Sequence, residues 1–248
     1  MAERLTLHAI QDTTKKFYSQ FCGTNISELQ QGIYFVCSEE RDALLKGFGC
    51  KYTIYIFVKD NLCIVSYSPK HKQFIEQIKQ CNTNEIIKAV NQKYQLKKMQ
   101  LMIFHEEVVK QYGAARILKD IDYPLYEAFF RAANPGADPT GWLYEYFMEK
   151  VSKECFVGYP LYGKLVSVCD APDMPYMEDK VQHTGISTLI EERRNGYARC
   201  TAALAANHLI ENGICPQWEC VADNRASIEL AMSIGYKKYG IAYIFEEN

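Results

Sequence analysis

The run Arg193-Arg194-Asn195-Gly196-Tyr197-Ala198 combines two guanidinium groups, a glycine and a helix start, and that combination suits the binding of phosphate. Residues His183 to Leu189 before it mix β-branched and small side chains and read as a strand, while Arg199 to Asn212 after it carry apolar residues at helical spacing up to Gly213. The glycine-containing loop therefore opens a helix. There the first backbone N–H groups have no intrahelical acceptor and the macrodipole is positive, which favours a bound anion by about 0.3–1 kcal/mol per charge at an exposed site. Gly196 admits close backbone approach, and Arg193 and Arg194 add charge. The spacing also fits an ordinary charged helix start.

Other residues could take part in the same chemistry. His183 lies two residues before Gly185 and should share its side of the strand. An imidazole of ordinary pKa, about 6.5, could accept a proton from an amine, although a strand histidine can equally be packed or exposed with no such role. Asn224 follows a predicted strand, Trp218 to Ala222, and Ser227 starts the next helix. Both suit local capping as well as ligand contact. Gly158 to Lys164 matches Gly-x-x-x-x-Gly-Lys, the first part of a nucleotide phosphate loop, but Leu165 stands where a magnesium-binding Ser or Thr is needed. A strand should follow it rather than a helix, so the amide cradle would not form.

Downstream of the phosphate loop, at the distance one strand needs, comes Asn224-Arg225-Ala226-Ser227-Ile228-Glu229-Leu230-Ala231-Met232-Ser233-Ile234-Gly235-Tyr236. This pairing resembles the GNAT superfamily of acyl-CoA-dependent N-acetyltransferases, whose phosphate loop follows Gln/Arg-x-x-Gly-x-Gly/Ala and whose later motif runs Asn-x-x-Ser into a short helix ending in Gly-Phe or Gly-Tyr. The likeness covers about residues 114 to 248. It extends to the zwittermicin-resistance type within the superfamily through Arg193-Arg194, the Ala- and Cys-rich run Ala198 to Ala206, and Pro216-Gln217-Trp218.

The resemblance implies an α+β protein with the GNAT fold, a central mixed, largely antiparallel sheet flanked by helices, preceded by a smaller α+β N-terminal domain. It implies acetyl-CoA as acyl donor, no metal, and direct attack by an amine in a ternary complex. Arg193 and the backbone amides of Arg194, Asn195, Gly196, Tyr197 and Ala198 would hold the pyrophosphate, and the strand containing Ile186, Ser187, Thr188 and Leu189 would run along the pantetheine arm. A backbone N–H near Ser187 or Thr188 would polarise the thioester carbonyl, with Asn224 and Ser227 near the same arm. Two positions depart from the family pattern: Gly185 stands where relatives often place a glutamate, and Ala231 where many place an acid tyrosine. For the base this leaves His183, or a water chain near Glu178 and Asp179; for the acid it leaves Tyr236, Tyr239 and Tyr243. An amine-bearing small molecule, antibiotics included, is the expected acceptor. A non-catalytic acyl-CoA-binding regulatory module is the alternative that the two departures support.

With 28 Lys and Arg against 30 Asp and Glu, the chain of 248 residues gives no bulk electrostatic reason to bind nucleic acid or an anionic membrane. Met1 to His8 lack the apolar region of a signal peptide and no later stretch has the roughly 18–20 apolar residues of a membrane span, so a cytoplasmic protein is expected. Its ten cysteines are scattered singly, without Cys-x-x-Cys or paired histidine spacing, as reduced thiols rather than zinc ligands or a disulfide framework would be. The sequence sets no oligomeric state.

Residues 1–112 and 113–248 read as two domains, with nothing in the first that carries a chemical signature. In the first, Lys51 to Val58 and Leu62 to Tyr67 form a hairpin around Asp60-Asn61, a helix runs from Pro69 to Gln80, a second helix opens at Asn82 with Glu85 three residues on, and Lys97 to His105 is a strand. In the second, Ala115 to Ile121 is a strand, helices start at Pro124 and near Thr140, and a further hairpin joins Glu154–Tyr159 to Lys164–Cys169. The two helices carry Tyr126, Phe129, Phe130, Trp142, Tyr146 and Phe147, an aromatic face that either touches substrate or packs in the core.

Overall fold

Strand pairing in the computed structural model, which describes residues 3–248, crosses the expected division at 112. The first two residues of the N-terminal segment read above lie outside the described residues. The chain forms α1 (Leu7–Cys22), β1 (Gly32–Cys37), β2 (Lys51–Lys59), β3 (Leu62–Tyr67), α2 (Lys72–Ile78), α3 (Thr83–Tyr94) and β4 (Lys97–Phe104). There follow β5 (Arg116–Ile117), α4 (Tyr123–Ala133), α5 (Leu143–Ser152), β6 (Val157–Leu161), β7 (Lys164–Asp170), β8 (Val181–His183), β9 (Gly185–Thr188), α6 (Tyr197–Glu211), β10 (Cys215–Gln217), β11 (Glu219–Val221), α7 (Arg225–Ser233) and β12 (Tyr236–Glu247). The architecture is mixed α+β.

The large sheet has the order β1-β3-β2-β12-β4-β11. The last strand of the chain therefore sits between β2 and β4, antiparallel to both, and the two halves share one sheet. Their cores merge as well: Phe17, Tyr18 and Phe21 of α1 pack in one cluster with Tyr55, Leu101, Trp218, Ile228, Ala242 and Ala206. A smaller sheet, β5-β6-β7-β9, carries α6 on one face and α4 with α5 on the other, where Phe147 and Phe156 are fully buried.

Local signals explain several elements. Asp60 turns the β2–β3 hairpin at φ 51°, and Asn82 and Glu85 form a complete capping box. Gly158 to Lys164 lies within the β6–β7 hairpin, and a strand, not a helix, follows it. The strand expected over Ala115 to Ile121 shortens to Arg116–Ile117, because the chain turns at residues 120–122 where Asp122 accepts from the Lys119 N–H at 2.9 Å and pairs with Arg116 at 2.6 Å. Among the described residues no helix is long and apolar enough to cross a membrane, and all ten cysteines are unpaired.

Candidate active site

One long strand was expected from His183 to Leu189, and the structure breaks it at Thr184. Residues 181–183 pair in parallel with 215–217 as a separate two-stranded sheet. Beyond them the partners separate. Gly185 to Thr188 join the small sheet beside β7, and Glu219 to Val221 join the large sheet beside β4. The result is a V-shaped notch with Thr184 at its closed end, where the Thr184 N–H and Oγ1 both reach the Gln217 carbonyl, at 3.2 and 3.3 Å.

Hydrogen-bond alternation tells which backbone groups face the notch. Leu189 N–H donates to the Val166 carbonyl at 3.0 Å, so with the observed register Ser187 and Gly185 also bond toward β7. Ile186 and Thr188 then point their N–H and C=O groups outward, into the notch. On the opposite arm, the bonds Met102 N–H to Trp218 and Ala222 N–H to Lys98 leave the Glu219 and Val221 backbone facing inward. Among the described residues no further strand pairs with either edge; the Thr188, Glu219 and Val221 carbonyls are met by Arg193 Nε, His183 Nε2 and the Asn224 N–H, which leaves the N–H groups of all four residues and the Ile186 carbonyl for an extended polar chain laid between them.

The wide end of the notch leads to the phosphate-type loop. Arg194 and Gly196 are both left-handed, at φ 64° and 83°, which turns successive amides toward one side. Among the described residues the N–H groups of Asn195 to Arg199 donate to no protein atom, α6 has no side-chain cap and no acidic residue in its first turn, and the space above Gly196 is open. Arg193 is tied to the Thr188 carbonyl at 3.3 Å and Arg199 to Gln111 at 2.8 Å. The nearby acids are compensated, since Lys164 pairs with Glu192 at 3.0 Å. Alanines 202, 203, 205 and 206 are buried, and their small size lets α6 approach the sheet closely.

Asn224 caps α7 by accepting from the Ser227 N–H at 3.1 Å, and Ser227 Oγ accepts from the buried Trp218 indole at 3.1 Å. Both follow the end of the β11 arm, with these groups in structural use. His183 lies at the notch's closed end, its Nε2 3.4 Å from the Glu219 carbonyl, and its buried Nδ1 has no partner. Burial pushes its pKa down to about 4, so the imidazole is a poor proton acceptor from an amine. Tyr236 is buried and bonded to the Pro216 carbonyl at 3.2 Å, and Tyr239 stacks on Tyr18.

Two carboxyl groups missing from the sequence reading flank the notch. Asp170, at the end of β7, is directly opposite Gly185, and a Cβ at residue 185 would collide with its Oδ1. The carboxylate from the neighbouring strand occupies the space that a side chain at 185 would fill. Burial raises its pKa to about 6, with Lys150 opposing the shift. It lines a cavity of about 200 Å³ shared with Ser187 and with aromatic residues of α4 and α5.

Glu219, on the other arm, is held by Gln217 Nε2 at 3.3 Å, and burial raises it to about 7 against the weaker opposing effects of Gln217 and Lys97. It faces the buried Tyr18 and Tyr55, whose phenols it pushes further upward. A carboxyl raised from its unfolded value contributes stability below the unfolded pKa and loses it as pH climbs through the folded one. Glu219→Gln should therefore unfold at higher temperature than wild type at pH 8, by a free energy of about 3 kcal/mol. The difference should vanish below about pH 4.5, the unfolded-state range of a glutamate; thermal melts across pH check this, and a pH-independent difference would contradict the burial of the charge.

The sequence matches the model of a family described as GNAT acetyltransferase over residues 1–243, both halves included. An uncharacterized N-acetyltransferase, YdfB of Bacillus subtilis, is 34% identical over 107 residues, and the match spans 40% of each chain. A GCN5-related N-acetyltransferase from Sphaerobacter thermophilus shares the fold over 100% of this chain and 95% of its own, with a TM-score of 0.52 at 12% identity. A GNAT-family acetyltransferase from Colwellia psychrerythraea matches 60% of this chain and 56% of its own, with a TM-score of 0.50 at 16% identity.

Proposed function

The chain belongs to the GNAT acetyltransferase family, and from that premise we propose that it transfers acetyl from acetyl-CoA to the primary amine of a small molecule by direct attack. The observation that carries this reading is the notch: two strand edges, paired with no further strand among the described residues, that lead from a closed apex to an uncapped, doubly left-handed loop at the start of α6. Acetyl-CoA supplies the activated acyl group as a thioester. Asn195 to Arg199 amides and Arg194 suit its pyrophosphate, and the outward edge of Ile186 and Thr188 suits its pantetheine amides. An outward N–H of that edge also suits the carbonyl oxygen, which gains negative charge as the amine attacks.

Asp170 is the base in this reading. The ammonium nitrogen gives one proton to the Asp170 carboxylate and forms the C–N bond at the carbonyl carbon; the C–S bond breaks, and the sulfur takes the second nitrogen proton. Asp170 then releases its proton to water. Its presence in the space above Gly185 speaks against the non-catalytic alternative, because a buried carboxylate with no side-chain hydrogen-bond donor is costly to maintain for binding alone. The double arginine, the Ala-rich α6 and Pro216-Gln217-Trp218 support a place near the zwittermicin-resistance type, and the unpaired cysteines support a reducing cytoplasm. Thiol release from acetyl-CoA should require an added amine, with an acetylated product detected by mass. CoA binding without product across monoamines, polyamines, amino sugars and peptides would overturn the enzymatic reading.

A further inference from the structure

The cavity beside Asp170 sets a polar edge against an aromatic wall. The sheet contributes Asp170 and Ser187, α4 contributes Tyr126 and Phe130, α5 contributes Tyr146, and the residues that cap these helices, Asn134 after α4 and Trp142 before α5, complete the wall. Phe130 and Trp142 meet edge to face with centroids 5.4 Å apart, Trp142 and Tyr146 lie 6.1 Å apart, and Tyr126 and Phe130 6.4 Å apart, so the rings enclose space at angles instead of stacking into a solid wall. Trp142 is 44% exposed, held by its indole N–H to the Asp138 carbonyl at 2.9 Å. An apolar indole face left open beside a buried carboxylate is the composition of a site for an organic cation.

On the acetyltransferase reading, we propose that this cavity is the acceptor subsite and that it selects an amine with one positive charge and no carboxylate, an alkyl- or aralkylammonium head. The charge balance sets the class. Among the described residues Asp170 is the only Asp, Glu, Lys, Arg or His lining the cavity, and the phenols of Tyr126 and Tyr146 are driven upward by burial and by Asp170, so they stay neutral. Lys150, the cation that acts on Asp170, is taken by Asp173 and lies 3.6 Å from Glu149, so among the described residues no cation in the lining is left to pair with a substrate carboxylate. A second or third substrate charge would likewise meet aromatic walls without a counterion. The volume of about 200 Å³ is below the roughly 300–1,000 Å³ of drug-sized sites, so it admits the amine-bearing end of a molecule.

Benzyltrimethylammonium, a cation with no proton to transfer, tests the cage separately from the chemistry. Calorimetry should detect its binding to wild type, with Kd about fivefold or more higher in Trp142→Ala and in Tyr146→Leu, the scale of losing one cation–π face. Trp142 lies at the surface, so its removal leaves the core intact. In steady state the probe should compete with phenethylamine and not with acetyl-CoA, and spermine and glutamate should be used at least about tenfold less well than phenethylamine. Equal binding by wild type and both variants, or equal use of spermine or glutamate, overturns the cage. Probe binding sensitive to Trp142→Ala, with CoA bound but no amine acetylated, supports the cage and overturns the acetyltransferase reading alone.

Discussion

Asp170→Asn is expected to lower kcat by about 10²–10⁴-fold, the usual contribution of a positioned general base, while making the protein more stable at pH 8. The two effects come from one cause. The Asp170 carboxyl titrates at about 6 because it is buried, and in an unfolded chain it would titrate near an ordinary aspartate value. Its folded pKa is the higher one, so its stability contribution is present below about pH 4 and lost as pH rises through about 6. Removing the charge relieves about 3 kcal/mol at pH 8. In wild type the rate should rise with pH through about 6 as Asp170 ionises, a limb absent in the variant. The charged and titratable groups packed around Asp170 are Lys150 and Tyr146 from α5, Tyr126 from α4 and Cys169 from its own strand; burial pushes the two phenols and the thiol up, away from 6, and Lys150 is paired with Asp173. A loss of both activity and stability would mark Asp170 as structural. Moving the carboxylate back across the strand pair, with Asp170→Gly and Gly185→Asp together, should recover part of the rate.

Gly196→Val is expected to weaken CoA binding by about 10–100-fold with the fold retained. At φ 83° a β-branched residue is strained by about 1–2 kcal/mol, and its side chain would enter the open space above the loop proposed for the pyrophosphate. Gly163→Val separates strain from cradle. Gly163 sits at φ 77° in the exposed β6–β7 turn, also with open space around it, so the same substitution carries the strain without touching the site. Calorimetry with CoA should find the Gly163 variant like wild type and the Gly196 variant weak; equal affinities in both would remove the loop from the donor site.

Much of this was legible in the sequence where the cause was local. The hairpin at Asp60-Asn61, the capping box at Asn82 and Glu85, and the helix that begins after Gly196 each depend on a few neighbouring residues, and each formed as read. What was not legible depends on pairing across the chain. The β12 strand, including Tyr239 and Tyr243, carries no local mark of its place between β2 and β4, more than 130 residues upstream. The split at Thr184 arises because Gly185 and Glu219 find different partner strands, which no spacing encodes. Gly185 was visible as a missing carboxylate, and the pairing that brings Asp170 into its place belongs to the fold. His183 was the natural candidate from its strand position alone, and burial at the notch's apex lowers the basicity that would have served it.

A crystal structure of the CoA complex tests the central claim most directly. The pyrophosphate is expected on the amides of Asn195 to Arg199, the pantetheine between β9 and β11, and the thiol at the notch's closed end, opening toward Asp170 and the aromatic cavity. CoA bound elsewhere, or with its thiol directed away from Asp170, would contradict it.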